Sequence, residues 1–349
     1  MSRSPTVMTT ARMTALTRRR WLGMAATTGL VLTGLNPDVQ VMAQQAGQFV
    51  MGPPMPDIAP VQVSPRVWVV PAADGFPTPA NQGMMSNVTF VVTSAGVVIL
   101  DSGSSLQIGQ MVIRMIRRIT PLPVVAVFNS HHHGDHWLGN HAFVDAFGES
   151  LPIYALAGTR ELIAGVAGNE WRSMMERWTN QSTAGTKTVL PNRTVTSGQV
   201  IQMGDVTFRM HHYSQAHTTA DLCVQVEQER VTHVGDIAMT NRIANFDDGS
   251  YRGTFIYYDR LRAATGEQTW VPGHGDSRRD LLHTYEALLR GIWEPCLQAV
   301  KNDKSESEAK ALVLQDARVR ARAATMQGFE GNIGKYISLA YLEAEKEAF

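Results

Sequence analysis

The chain has 349 residues, of which 44% are hydrophobic and 18% charged, and its formal net charge is zero. This balance is typical of a folded globular protein with a substantial buried core, and it excludes an intrinsically disordered chain. The sequence contains no long basic stripe, so nucleic acid is not an expected partner.

The N-terminal residues have the features of an export signal. Residues 1–43 hold five arginines and one acidic residue, so the rest of the chain is mildly acidic. The stretch TRRRWLG (17–23) resembles a twin-arginine signal, with Gly23 in place of the usual lysine. The apolar run after the arginines, 21–35, is shorter than the about 20 residues of a membrane-spanning helix. We therefore predict a signal peptide over 1–43, a periplasmic location and no stable membrane span after signal removal.

Strand and helix patterns alternate along the first half of the chain. Residues 44–64 are rich in Pro, Gln, Gly and Met, which predicts a linker or a wrapping arm. Two β-branched runs around SAG (94–96) predict a hairpin whose second strand ends at Asp101. A helical period follows over SLQIGQMVIRMIRRIT. VVAVFNS (124–130) is apolar on both faces, as in a strand buried within a layered sheet, and HWLGNHAFVDAF predicts another helix.

The second half repeats this order of strands and then helices. TVTSGQVIQM, VTFRMHHY, DLCVQVEQ and RVTHVGDI are predicted strands, and residues 239–258 a loop. Cys223 lies in a strand pattern and Cys296 in a helical one, which predicts two separate buried thiols. SESEAKALVLQ begins with a capping box. We predict an α/β fold, a four-layer αββα sandwich over 65–290, with a helical extension over 291–349 packed on it.

A cluster of metal-ligand side chains follows the buried strand, in NSHHHGDHWLGN (129–140). His131 and His133 lie on the same side of an extended chain, so both can reach one ion. Gly134 allows a turn that directs Asp135 and His136 to a neighbouring point. Imidazole and carboxylate groups suit Zn²⁺. The loop therefore predicts part of two metal sites, and a chance run of histidines is the alternative.

Five motifs in order resemble the metallo-β-lactamase-fold hydrolase superfamily over about residues 65–290. They are VVILDSG, HHHGDHWLGN, QAHTTADLCV, VGDIAM and VPGHGD, with Ala216 in place of a usual glycine. Asp236 stands where many zinc lactamases have cysteine, so the sequence is more similar to the glyoxalase-II-like branch. The ending NIGKYISLAYLEAEKEAF resembles exported relatives linked to sulfur oxidation and quinoprotein systems.

The resemblance implies two sets of metal ligands that share one carboxylate. The first metal would be bound by His131, His133 and His217. The second metal would be bound by Asp135, His136 and His274. Asp236 would bridge the two metals. Asp101 would orient the metal loop through hydrogen bonds, because metal ligands need a fixed partner.

Five other histidines are assigned smaller roles. His211 and His212 are weaker candidates for the position of His217, because they lie inside a strand pattern. The remaining three are expected to be structural or to line a pocket: His132, His141 and His233.

The predicted function is a dinuclear zinc-dependent hydrolase. A hydroxide between the metals would attack an ester, thioester, lactone or amide of a small-molecule substrate. Asp135 would orient this nucleophile and take its proton. The pocket walls are predicted in residues 74–87, Trp137, residues 170–178 and residues 239–258.

Two alternatives remain open at this point. A mononuclear iron enzyme acting on persulfides would use His131, His217 and Asp236 as a facial triad. A non-catalytic periplasmic metal-binding accessory protein would fill the same sites without turnover. The complete set of ligands favours catalysis over the second alternative.

Overall fold

Two β-sheets occupy the centre of the fold in a computed structural model that describes residues 50–73, 75–243 and 246–348; the predicted signal peptide lies outside these residues. The first sheet has its strands in sequence order, antiparallel from β1 to β4 and parallel from β4 to β7. Its strands are β1 Val61–Gln62, β2 Val67–Val70, β3 Val88–Thr93, β4 Gly96–Leu100, β5 Val124–Phe128, β6 Ile153–Leu156 and β7 Arg193–Val195.

The second sheet has the spatial order β12-β11-β10-β9-β8, and only β11 and β12 in it run parallel. Its strands are β8 Val200–Met203, β9 Val206–His211, β10 Cys223–Val226, β11 Val231–Gly235 and β12 Thr269–Pro272. The inner faces of the two sheets meet in one apolar core. Phe128 of β5 stacks there on Phe208 of β9, with 6.0 Å between ring centroids.

Helices cover the outer face of each sheet. On the first sheet, α1 begins after Ser105, whose side chain accepts a hydrogen bond from the Ile108 amide, and its apolar side packs on β4 and β5. The helices of the first half are α1 Leu106–Ile119, α2 Gly134–Trp137, α3 Asn140–Phe147, α4 Ala157–Ala164 and α5 Val166–Trp178. Those of the second half are α6 Tyr251–Thr265, α7 Leu281–Lys301, α8 Glu306–Gln315, α9 Ala317–Ala323 and α10 Phe329–Ala348.

The second sheet is covered by α6, α7 and α10, which share a core with β10 and β11. Tyr251 of α6 stacks on Trp293 of α7 at 5.8 Å. Helix, sheet, sheet and helix thus form the four-layer αββα arrangement predicted from the sequence. The boundary that the sequence places at residue 290 falls inside α7.

Several local predictions are confirmed. Cys223 and Cys296 are both free and buried. The side chain of Ser305 and that of Glu308 form the reciprocal capping box at the start of α8. The hairpin around SAG joins β3 to β4, with Thr93 opposite Gly96. In the part of the chain that the structure describes, no helix is long and apolar enough to cross a membrane.

Two local predictions are wrong in detail. TVTSGQVIQM is not one strand, because the chain leaves the first sheet after β7 and turns at Gly198, whose φ is +81°, to enter β8 of the second sheet. The end of the predicted loop 239–258 is helical, because Ser250 caps α6 by accepting from the Gly253 amide. The described part of the predicted linker or wrapping arm, 44–64, lies against the fold: it contains β1, and its Asp57 pairs with Arg114 of α1 at 2.7 Å.

Candidate metal centre

The predicted ligands come from four chain segments that meet where strands end. The metal loop follows β5, Asp236 follows β11 and His274 follows β12, while His217 lies in the connection between β9 and β10. Because β11 and β12 are parallel, their carboxyl ends open onto the same edge of the second sheet. All seven predicted ligands are buried there, each with at most 6% of its surface exposed.

The first ligand group consists of His131, His133 and His217. His133 Nδ1 lies 3.1 Å from His131 Nε2 and 3.0 Å from His217 Nε2. Asp236 Oδ2 lies 3.9 Å from His131 Nε2 and 3.7 Å from His217 Nε2. Three imidazole nitrogens and one carboxylate oxygen therefore face one point, as a tetrahedral metal site requires.

The second ligand group consists of Asp135, His136 and His274. Asp135 Oδ2 lies 3.2 Å from His136 Nε2 and 3.3 Å from His274 Nε2. Asp236 reaches this group as well, with Oδ1 3.4 Å from His136 Nε2 and Oδ2 3.0 Å from His274 Nε2. Asp236 thus contacts both groups, in the position expected of a bridging ligand.

The polar atoms of the second group fit a cation. Asp135 Oδ2, His136 Nε2 and Asp236 Oδ1 are buried and have no hydrogen-bond partner. Leaving such atoms unpaired is costly, so buried polar groups normally have partners. A shared metal ion satisfies all three atoms at once, and imidazole with carboxylate is a donor set for zinc.

The two groups differ in protonation. Burial, together with the neighbouring His136 and His133, holds the pKa of His131 well below its usual value. Burial and His133 lower the pKa of His217 to about 3. These two imidazoles are therefore neutral at ordinary pH, which is the form that binds a metal.

The second group has the opposite tendency. Burial lowers the pKa of His136, but the carboxylates of Asp135, Asp236 and Asp101 outweigh burial and raise it well above its usual value. Burial likewise opposes protonation of His274, and Asp236 outweighs it and raises the pKa. Ions binding to this group must therefore displace protons.

Asp101 supports both groups from behind. Its Oδ2 lies 2.8 Å from His136 Nδ1 and accepts from Ser130 Oγ at 2.7 Å; that hydroxyl is 2.9 Å from His131 Nδ1. Its Oδ1 accepts from the Ser130 amide, and His233 Nε2 lies 3.0 Å from Oδ2. Burial opposes ionisation of Asp101, but His136 and His233 outweigh it and hold its pKa below the usual range. One carboxylate therefore fixes the ring orientation of a histidine in each group.

Close backbone approach also shapes the second group. A Cβ at Gly273 would lie 2.2 Å from Asp236 Oδ1 and 2.6 Å from His136 Cε1, so this position requires glycine. His274 Nδ1 donates to the Met85 carbonyl at 2.5 Å, which directs Nε2 toward the ligand group. Arg242 lies beside it, with Nη1 3.1 Å from His274 Nδ1.

The five histidines with smaller predicted roles differ in the groups that they contact. His233 supports Asp101, and His141 Nδ1 accepts from the Lys187 amide. His211 and His212 lie outside both groups; His211 contacts Tyr213 and Gln225, while His212 contacts the Asp221 carbonyl. His132 lies at the rim, with Nε2 3.7 Å from Asp248 Oδ2.

Only some of the predicted pocket-wall residues lie where they can line a pocket. Trp137 is fully buried and its Nε1 donates to the His132 carbonyl, so it packs beneath the metal loop and is not a pocket wall. Asp248 from the 239–258 segment and Trp171 from α5 do reach the metal loop. Three residues of the site were not predicted from the sequence: Asp248, Ser130 and Arg242. Of these, Ser130 could have been predicted most readily, because it adjoins the first histidine of the motif.

Comparison with known proteins identifies the family. A model of the metallo-beta-lactamase superfamily matches residues 81–313. The chain therefore belongs to this superfamily. Together with the two ligand groups, that membership makes it a metallo-hydrolase. A comparison with curated proteins finds no match.

Solved structures share the fold at low sequence identity. A metallo-beta-lactamase from Pontibacter korlensis is 18% identical with a TM-score of 0.52, and the match covers 65% of this chain and 96% of that one. DIM-1 metallo-beta-lactamase exposed to ceftazidime is 14% identical with a TM-score of 0.51, over 67% and 97% of the two chains. VMB-1 is 14% identical with a TM-score of 0.51, over 66% and 95%.

Proposed function

We propose that the protein is a dinuclear zinc hydrolase that cleaves an ester, thioester, lactone or amide. The observation that carries this proposal is the pair of buried ligand groups that share Asp236. A single-metal enzyme has no need of the second group, whose atoms Asp135 Oδ2 and His136 Nε2 are buried without partners. The complete second group therefore favours two ions over the mononuclear iron alternative.

The chain has a set of ligands for each of the two proposed ions. His131, His133 and His217 would hold the first, Asp135, His136 and His274 the second, and Asp236 both. When bound, two zinc ions supply Lewis acidity that polarises a scissile carbonyl and makes water a nucleophile near neutral pH.

The residues around the ions have separate tasks. The Asp135 carboxylate orients the attacking water and takes up its proton at a carboxylate oxygen, because it is the acidic member of the second group that is not shared. Asp101 keeps the Nδ1 proton of His136 in place, so that Nε2 remains free for the ion. Burial of the groups keeps bulk water away from the ligand atoms.

Aspartate at position 236 supports a place in the glyoxalase-II-like branch, because many zinc lactamases have a cysteine at the matching position. The similar solved structures nonetheless carry the name metallo-beta-lactamase. We therefore keep β-lactams among the substrates to be tested, together with lactones, thioesters and aryl esters.

Metal analysis of the purified protein tests the dinuclear proposal. We expect two zinc ions per wild-type chain and about one in His133→Ala, with turnover of at least one substrate of the panel by the zinc-loaded wild type. Fewer than one tightly bound metal per wild-type chain contradicts the proposal. Bound iron with oxygen uptake on a persulfide supports the oxygenase alternative, and full zinc sites without any turnover support the accessory-protein alternative.

We also propose that residues 1–43 direct folded protein to the periplasm. The support is the arginine-rich start followed by a short apolar run and small Ala43. Replacing Arg18 and Arg19 by lysine should retain the protein in the cytoplasm, as fractionation of the producing bacterium would show. Unchanged periplasmic accumulation of this variant contradicts export through the twin-arginine route.

A further inference from the structure

Helix α5 carries an apolar stripe that begins at the metal loop and ends at an exposed tryptophan. Trp171, Met174 and Trp178 are spaced at i, i+3 and i+7, so they lie on one face of the helix. Trp178 is 41% exposed, and Trp171 and Met174 are half-buried. The two indole rings meet edge to face with 6.2 Å between centroids. The stripe leaves apolar surface in contact with water, and exposed apolar patches can mark binding sites.

The stripe begins at a metal ligand. The Trp171 ring lies 5.1 Å from the ring of His133, a member of the first ligand group. This approach depends on Gly134, where a Cβ would be 2.7 Å from Trp171 Cβ. The apolar surface is therefore continuous with the first ligand group.

Other faces of α5 hold the helix in place. Met175 is fully buried and packs against Gly83 of the segment that precedes β3. Arg172 and Glu176 pair across one turn at 3.0 Å on a neighbouring face. Trp171 also packs against this buried cluster, beside Trp137 and Leu138, so it is held in place. The exposed Trp178 is not part of the cluster, and its outer surface can contact a ligand.

Charge at the same rim selects the kind of ligand. The Asp248 side chain is 52% exposed, and its Oδ2 lies 3.9 Å from His133 Nε2 and 3.7 Å from His132 Nε2. A second negative charge beside it would be repelled. The rim therefore favours an uncharged group on the side of the first ligand group.

We propose that the Trp171–Met174–Trp178 stripe binds an uncharged acyl or aryl arm of the substrate whose carbonyl lies at the metal centre. This inference rests on the proposed hydrolase function and specifies its substrate class. Seven residues of helix separate Trp171 from Trp178, which corresponds to about 10 Å along the axis. An arm of that length covers the stripe, and a longer arm gains nothing further.

The test is a chain-length series of p-nitrophenyl esters, from acetate to decanoate, with zinc-loaded protein. We expect kcat/KM to rise by up to about fourfold per methylene and then to level off. Trp178→Ala should reduce this slope for the longer esters. Leu342→Ala removes a similarly exposed apolar side chain from α10, at 52% exposure, and should keep the wild-type slope.

Binding of octanamide, measured by calorimetry on the same three proteins, tests the stripe without turnover. Weaker binding by Trp178→Ala alone supports the proposal, and equal binding by all three overturns it. Hydrolysis without dependence on chain length also overturns the stripe but leaves the hydrolase proposal intact. Octanamide binding that depends on Trp178, in zinc-loaded protein that hydrolyses no substrate of the panel, would support the stripe and contradict the hydrolase.

Discussion

The two ligand groups share Asp236 and yet have opposite electrostatic character. In the first group, imidazole rings surround one another, so His131 and His217 remain neutral. In the second group, the carboxylates of Asp135, Asp236 and Asp101 surround His136 and favour its protonation. Similar ligand chemistry in two adjacent places thus gives one site that is ready for a cation and another in which protons compete with it.

The groups also depend on different parts of the fold. The second group is held by Asp101, by the Met85 carbonyl and by the missing side chain at Gly273. The first group receives His217 from a loop that contacts the start of α6, where the Ser250 amide donates to the Ala216 carbonyl. Changes at these supports should therefore affect the two ions unequally.

The largest effect is expected for Gly273→Ala. The new methyl would lie within 2.6 Å of both Asp236 and His136, so the bridging carboxylate must move. We expect activity to fall by about a hundredfold or more, with the second ion lost first, beyond the effect usual for a supporting residue. Metal content and kcat/KM measure this.

Gly331→Ala is the matched control, because Gly331 lies in α10 and a Cβ there meets no atom within 4 Å. It should leave metal content and activity unchanged and should not lower stability, since alanine favours helix. Two tightly bound ions and full activity in Gly273→Ala would show that glycine is not needed at the second group.

Asp101→Asn should have the next largest effect. Asp101 has a φ of +59°, a conformation that asparagine tolerates, so the backbone should be preserved. The amide has a single acceptor oxygen, so it cannot replace both Oδ2, which faces His136 Nδ1, and Oδ1, which accepts from the Ser130 backbone amide. We expect a ten- to hundredfold loss of affinity for the second ion and a smaller loss for the first, as measured by competition with a chelator. Equal losses at both groups would contradict the direct role of Asp101 at His136.

Acidification should release the second ion before the first. The raised pKa values of His136 and His274 mean that protons occupy these rings up to higher pH, so affinity for the second ion falls as pH decreases through that range. The pKa of His217 is about 3 and the pKa of His131 is held well below its usual value, so these two rings stay unprotonated there. Zinc content after dialysis at decreasing pH measures the order.

Two single-site variants allow zinc loss from each ligand group to be measured separately. His133→Ala retains only the second group, and His274→Ala retains an intact set of first-group histidines. The former should lose its ion at the higher pH. If both variants lose zinc at the same pH, the proposed electrostatic difference between the groups is wrong.

The smallest effect is expected for Glu343→Gln in α10. This side chain accepts from the Tyr251 amide at 2.8 Å and from Ser250 Oγ at 2.9 Å, at the start of α6. Removing the charge should lower the free energy of unfolding by about 1 kcal/mol, because carboxylates stabilise helix N-termini. A decrease of about 2–4 °C in Tm checks this, and an unchanged Tm would deny the C-terminal helix a part in supporting α6.

Much of the site was predictable from sequence because most of its metal-ligand side chains lie in short motifs. The strand before the metal loop and the glycine at 134 already indicate how two histidines and an aspartate can face different points. The partners of His217 were predictable only through the resemblance, since His217 and His133 are 84 positions apart.

The rest depended on tertiary packing that no local pattern carries. Trp137 and Trp171 look alike in sequence, but one fills the space beneath the metal loop and the other lies at its rim. Asp248 belongs to a polar segment without a motif, and only the fold brings it to His132. The passage of the chain between sheets at Gly198 was missed because two short strands in series have the same alternation as one long strand.

The spread of the ligands along the chain gives the ions a mechanical consequence. An ion that joins the metal loop to His217, or His136 to His274, closes a long loop of the polypeptide, and the entropy lost in closing such a loop rises only slowly with its length. Bound ions would therefore link the two halves of the sandwich reversibly. A filled metal centre would then help to hold the two sheets together, and removal of the metal should loosen the sandwich at the edge where the strands end.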